Sequence, residues 1–349
     1  MWNAKFCCPQ CFDNQYIQTY IESNSKSSGA CEFCLSEDQP LIDAQELLLI
    51  FTPLLELYDH GRGCSLASCL KRDWNIFSKN LALAMQNDLL DAIGGGGIKK
   101  NKFTLRGYDA LLSTAQNEWD SFSRELKHIN RFTVTEASSI EHLDRIKQFL
   151  DYLRLADPPK TLYRARICED CNILSEDEMT RPPAKKATNG RANPQGISYL
   201  YTATHPDVAI HEIRPHVGAY VCIAKIDVLA PEALGIVDLR FAAPILSPFE
   251  MGDELDVFAR ELPFLKFLGH ELAKPIVPHR ADIDYLPMQY LCEFIKNIGY
   301  GGIAYRSSVC DETVSDYNIV LFQDKDICIS ERKNHVVTAS KFSYIPSAI

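Results

Sequence analysis

The chain has 349 residues, 46% apolar and 23% charged, with a formal net charge of −10 and a pI near 5.4. That balance excludes a disordered polypeptide and a uniformly basic surface for nucleic acid or anionic lipid, so no nucleic acid partner is expected. Apolar runs such as Leu47 to Leu55, interrupted by Pro53, fall short of the roughly 20 residues that cross a bilayer, and no membrane partner is expected.

Met1 to Cys8 lacks the apolar stretch of a signal peptide. Cys8-Pro9-Gln10-Cys11 and Cys31-Glu32-Phe33-Cys34 follow with 19 residues between the pairs, the spacing of a four-thiolate zinc site. A closed site of this kind is structural, because no ligand position stays open for a substrate; unligated thiols are the alternative. Gly29, just before the second pair, is expected to help the backbone curl toward sulfur. The chain carries 13 cysteines, an odd number in a large polypeptide, which favours metal thiolates and free thiols and a reducing cytoplasm over a disulfide framework.

Residues 41–156 read as a helical bundle, with helices over Asp43 to Tyr58, Ser65 to Ile93, Leu105 to His128 and Ser139 to Leu155. Asp43 is the expected N-cap of the first. Gly94 to Gly97 reads as a flexible loop, since it lacks the Gly-Lys-Ser/Thr ending and the preceding strand of a phosphate loop. Asp157-Pro158-Pro159 stops the last helix and opens a third domain over residues 157–349, after the ribbon of residues 1–40 and the bundle.

In the strand Thr161 to Ile167, Arg164 and Arg166 alternate with Tyr163 and Ala165, so both guanidinia face one side. They favour an anionic ligand, unless they are charges that protect a sheet edge. Gly190 to Asn193 reads as a turn, Leu200 and Tyr201 as a strand, and Pro206 as the first residue of a short helix. On a helical wheel Glu212 falls on the apolar side with Val208, Ala209 and Ile213, while His211 falls opposite. A carboxylate there needs a cation or a cleft, with Arg191 and Arg164 the candidates; in a helix this short it is equally readable as simply wet. Ala219 to Val228, Gly302 to Arg306 and Asn318 to Phe322 read as strands. Asp253 to Phe267 and Pro287 to Ile298 read as helices, the latter ended by Gly299. The irregular mixture implies an α+β domain.

Six pieces, Leu162-Tyr163-Arg164, Gly190-Arg191-Ala192-Asn193, Leu200-Tyr201, Ala209-Ile210-His211-Glu212, Tyr305-Arg306-Ser307 and Asn318-Ile319-Val320-Leu321-Phe322, together resemble the RES-domain family. Ala192 stands where an aromatic residue is usual, and Ser308 competes with Ser307 as the motif serine. The resemblance implies an ADP-ribosyltransferase-like mixed α+β RES domain after the zinc ribbon and helical bundle. It implies an enzyme that consumes NAD by hydrolysis, as an NAD+ glycohydrolase, or by phosphorolysis, with a toxin-like effect. On that resemblance Arg191, Tyr201, Glu212 and Ser307 are catalytic, and Arg164, Arg166, Asn193 and Ser308 bind the dinucleotide. Cys8, Cys11, Cys31 and Cys34 hold structural zinc.

A ribbon and helices ahead of such a domain resemble a HEPN-like module, although none of the nine histidines has the Arg spacing of a HEPN ribonuclease. An antitoxin or other regulatory partner, and a homo-oligomer, stay open. So do ADP-ribosyl transfer to a macromolecule and a non-catalytic zinc-containing sensor.

Overall fold

The computed structural model describes residues 4–96, 98, 101–135, 137–240, 247–274, 276, 278–307 and 316–339. Its strands are β1 (Phe6–Cys7), β2 (Ser27–Gly29), β3 (Gln39–Asp43), β4 (Tyr58–Cys64), β5 (Phe103–Leu105), β6 (Thr161–Cys168), β7 (Leu200–Ala203), β8 (Tyr220–Val228), β9 (Ile236–Asp238), β10 (Gly302–Tyr305), β11 (Asn318–Leu321) and β12 (Ile327–Val336). The helices are α1 (Gln15–Asn24), α2 (Leu48–Leu55), α3 (Leu66–Trp74), α4 (Leu83–Ile93), α5 (Tyr108–His128), α6 (Ala137–Phe149), α7 (Glu176–Met179), α8 (Pro206–Ile213), α9 (Glu254–Ala273), α10 (Ala281–Asp284) and α11 (Leu286–Ile298). No helix among the described residues is long and apolar enough to cross a membrane. The mixed α+β class expected from the sequence holds.

The chain packs as two compact units. One comprises Met1–Asn117 with Phe241–Phe267, the other Glu118–Arg240 with Leu268–Ile349. These bounds follow packing, where a division at residues 40 and 156 follows motifs and a proline linker.

In the first unit the four motif cysteines lie in the turns that follow β1 and β2 of a small sheet ordered β1-β3-β2. Gly29 ends β2 opposite Gln39 and does not make the curl expected of it; the left-handed residue beside the second cysteine pair is Leu35, at φ 61°. The single helix expected over Ser65 to Ile93 is two. Asn75, at φ 47°, ends α3 in the left-handed conformation that Asn tolerates, and the next turn is extended and buried through Ile76 and Phe77. That break has a reason: Ser78 N donates to Cys11 O at 3.0 Å and Asp13 N to Ile76 O at 2.9 Å, so the segment is laid along the cysteine ribbon. Strand β4 pairs with β5 in a second small sheet. Gly63 is required there, because a Cβ would run into the Phe103 carbonyl.

The last turn of α3 holds a buried polar centre. Asp73, 2% exposed, accepts Arg72 Nε and Nη2, each at 2.8 Å, the Tyr58 hydroxyl at 2.8 Å and the Lys266 ammonium. Burial pushes its carboxyl up, but the Arg72 hydrogen bonds and the Lys266 charge outweigh this and hold it below the ordinary carboxylate range. The depressed pKa makes this a stabilising charge above the unfolded value near 4, lost as pH falls through the folded one. Asp73→Asn, which strands a buried Lys266, is expected to cost about 3 kcal/mol in denaturant unfolding at neutral pH, and far less at a pH below the folded pKa.

The second unit is built on a seven-stranded sheet, order β12-β8-β6-β7-β11-β10-β9, antiparallel except for β10 with β9. One face buries Leu162, Leu200, Cys222, Ala224, Ile226, Ala304, Ile319 and Leu321. The other packs α8, through Val208 and Ala209, against Ala165, Ala203 and Val221. Alternation along each strand produces these two faces. Register then sets Ala203, Asn318 and Tyr305 in one row across β7, β11 and β10. Tyr201 lies two residues before Ala203, on the same face.

Candidate functional site

The Gly190 to Asn193 turn is closed by Gly190 N donating to Asn193 O at 2.9 Å. The Asn193 amide, 3% exposed, donates to the carbonyls of Thr188, Pro194 and Ile197, and its Oδ1 accepts the Tyr201 hydroxyl at 2.7 Å. All of these bonds are internal, so Asn193 holds the turn in shape and offers little to a ligand. The Tyr201 oxygen also accepts Ala192 N at 3.0 Å, and burial keeps this phenol protonated well above its usual pKa. Gly190 is obligatory, since a Cβ would collide with the Tyr201 hydroxyl and Asn193 Oδ1. Gln289, a buried polar residue on α11, clamps the turn from outside by donating to Gly190 O at 2.8 Å and Asn193 O at 3.0 Å.

Helix α8 starts at Pro206, with His205 as its N-cap, and buries Val208 and Ala209. Glu212 lies on that inner side, half-buried, while His211 is exposed. Its Oε1 accepts both the Ser307 hydroxyl and the Asn318 amide, each at 2.7 Å. Asn318 is 2% exposed and fixed by the sheet, so one carboxylate oxygen is held by two donors from the ends of neighbouring strands. Held this way, the group keeps its Oε2 for other contacts. Ser308 lies outside the described residues.

Arg191 leaves the turn with Nη1 donating to Lys274 O at 2.9 Å and to Leu272 O, the carbonyl end of α9. A cation is favoured at such a helix terminus. Its Cζ lies 5.9 Å from the centroid of the Tyr305 ring. Tyr305, 3% exposed, stands between opposite charges: burial first, then the Glu212 carboxylate, pushes its phenol well above the ordinary range, and Arg191 opposes them. Arg191 faces the Tyr305 ring, and the Glu212 carboxylate, 21 residues further on in sequence, raises the same phenol.

The entry-strand arginines part company. Arg166 is exposed and donates to Glu178 O at 2.6 Å. Arg164 is half-buried; its Nη1 donates to Tyr201 O at 3.1 Å where β6 and β7 meet at the single pair Tyr163 and Ala203. Its Nε is buried with no hydrogen-bond partner among the described residues. Burial, with the Arg166 charge adding to it, pulls its pKa down to about 10. Among the described residues no carboxylate pairs with this cation. Sequence reasoning quoted Tyr305 and Asn318 within motifs without giving either a role, and missed Gln289; a polar residue on an otherwise apolar helical face was the available signal.

In the first unit the sulfurs of Cys8, Cys11, Cys31 and Cys34 all lie within 4.8 Å of one another, with Cys8 to Cys34 and Cys11 to Cys31 each at 3.4 Å. Tetrahedral zinc with thiolates at about 2.3 Å needs sulfur separations of about 3.8 Å, so these residues fit the ion after small adjustments. Phe33 N points at Cys31 Sγ at 3.4 Å, the amide-to-sulfur contact that supports a thiolate. Hydrogen bonds from Cys11 and Cys8 pull the Cys31 thiol below its ordinary range. Cys7 is not part of the cluster; it lies in β1, opposite Ile42.

The model of the family described as RES domain matches residues 161–343, slightly more than half of the chain. A chain of the crystal structure of the M. tuberculosis MbcT–MbcA toxin–antitoxin complex is similar at 12% identity and a TM-score of 0.34, over 56% of this chain and 91% of that one. No curated protein matches.

Proposed function

The chain belongs to the RES-domain family, and from that premise we propose that it consumes NAD by breaking the bond between nicotinamide and ribose. The observation that carries the reading is the pinned Glu212, held on one oxygen by Ser307 and Asn318 and sharing Tyr305 with Arg191. When the glycosidic C–N bond breaks, its electron pair goes to the pyridinium nitrogen and leaves an oxocarbenium-like carbon on the ribose. Nicotinamide leaves neutral and needs no acid. What the protein must supply is a fixed negative charge beside that carbon and a grip on the pyrophosphate.

In this reading Glu212 faces the developing cation with Oε2 and takes the proton of an attacking water, or orients inorganic phosphate. Ser307 holds Glu212, with Ser308 as the alternative motif serine. Arg191 meets the phosphates, and Arg164, whose buried Nε lacks an acceptor, meets the same anion. Tyr201 forms the wall and Asn193 keeps the turn that carries Arg191. The cysteine cluster holds structural zinc, in a ribbon that with the following helices is read as HEPN-like. A toxin or defence effector in the cytoplasm, restrained by an antitoxin, is the cellular role this activity fits.

Incubating the full chain with NAD and separating the products tests the proposal. Nicotinamide with ADP-ribose is expected in water, and with the ADP-ribose phosphate ester if phosphate is the acceptor. Unchanged NAD would end the enzymatic reading in favour of a binding or sensor role, and labelled macromolecule would redirect it to ADP-ribosyl transfer. Arg191→Lys keeps the charge but loses the planar fork; a rise in KM of roughly 10-fold with a smaller change in kcat is expected.

A further inference from the structure

A second pair of cysteines lies apart from the metal-binding cluster. Cys64 ends β4 and Cys69 lies one turn into α3, and their sulfurs are 2.8 Å apart. Two non-bonded sulfurs do not approach so closely by packing alone, and the remaining gap to a bond of about 2.04 Å is small. The separation is set by rigid structure. Ser65 caps α3, its hydroxyl accepting Ser68 N at 3.3 Å, and Leu66 and Ala67 between the cysteines are buried. Cys69 is further fixed by its contact with the Phe103 carbonyl at 3.4 Å on the partner strand β5. The pair is not a metal site, since the one group among the described residues with enough ligands is Cys8, Cys11, Cys31 and Cys34.

We propose that Cys64 and Cys69 are a reversible dithiol–disulfide couple, oxidised by a hydroperoxide. The two sulfurs differ in access: Cys64 is half-buried and Cys69 fully buried. Burial, then the Cys64 contact, pushes the Cys69 thiol up to about 12, which leaves Cys64 as the sulfur that meets the oxidant. Its thiolate attacks the peroxide, the O–O bond breaks, and a sulfenic acid and water (or an alcohol) result. Cys69 then attacks the Cys64 sulfur and expels hydroxide, which leaves as water with the Cys69 proton. The pair has lost two electrons and two protons, and the peroxide has been reduced. The loop it closes is short, so by chain entropy the bond adds less than a long-range bridge would, and thiol–disulfide exchange with a small dithiol reverses it.

The test uses the full, metal-loaded chain treated with equimolar hydrogen peroxide, alkylated and digested with trypsin. Cleavage after Arg62 and Lys71 puts both cysteines in the single peptide Gly63 to Lys71. The expected product is that peptide unalkylated and lighter by two hydrogens, returning to the doubly alkylated form after dithiothreitol. In Cys69→Ser, which lacks the resolving thiol, Cys64 should be trapped as a sulfenic acid by dimedone, whereas the wild-type peptide is not. A doubly alkylated peptide at peroxide doses that oxidise other cysteines would overturn the proposal. So would dimedone labelling of wild-type Cys64, or a disulfide from either cysteine to a third.

Discussion

Glu212→Gln is expected to lower NAD turnover by about 10²- to 10³-fold while leaving the fold intact. The substitution is nearly isosteric, and a Gln oxygen still accepts from Ser307 and Asn318, whose donors lie 2.7 Å from Oε1. Position is therefore kept and only the charge is removed, which isolates the electrostatic part of the mechanism. Binding should change little, so the loss belongs in kcat. Asn318→Asp tests the same corner from the other side. A second carboxylate at hydrogen-bond distance from Glu212 cannot share the site fully ionised, so the pair keeps a proton to higher pH. Because the proposed reaction needs Glu212 charged, the acidic limb of the pH–rate profile should move upward. Tyr305 does not confuse that profile, since burial and Glu212 hold its phenol protonated well above the ordinary range. Wild-type turnover in Glu212→Gln, with unchanged circular dichroism, would remove Glu212 from the chemistry.

The residues at this corner were unequally visible in the sequence. Glu212 could be placed because the period of a short helix is local: Val208 and Ala209 are buried, His211 is exposed, and Glu212 falls between, as a wheel predicts. Its two donors could not be derived that way. Ser307 and Asn318 reach it only because β7, β11 and β10 pair in one register, and the β7–β11 pairing, which joins Ala203 to Asn318, leaves no local pattern. The same limit hid Tyr305 as the meeting point of Arg191 and Glu212. Asn193 is assigned to the dinucleotide by the family resemblance alone, and the partners of its side chain are turn carbonyls and Tyr201. The break at Asn75 was missed because residues 65–93 keep apolar residues at roughly helical intervals through Ile76, Phe77 and Leu81, which pack on the cysteine ribbon in extended form.

That ribbon leads to the other large expected effect. Its strands have two, three and five residues, too short to persist as an isolated sheet, and its interior holds four thiols in mutual contact where a larger domain would have aliphatic packing. The proposed zinc would supply what the core lacks. In small zinc modules the metal contributes on the order of 10 kcal/mol to folding, enough to decide whether the ribbon exists. The purified full chain is expected to carry one zinc per molecule by elemental analysis, and Cys11→Ser or Cys31→Ser to lose it. A strong chelator should then abolish hydrogen-exchange protection in β1, β3 and the Ile76 to Leu81 segment, because Ser78 N hangs from the Cys11 carbonyl and Asp13 N from Ile76. Protection in β6, β8 and β11 should survive, since that sheet buries its own apolar face without a thiolate cluster. Substoichiometric metal in chain purified under reducing conditions, together with exchange that ignores the chelator, would mean that the four cysteines hold the ribbon as thiols alone.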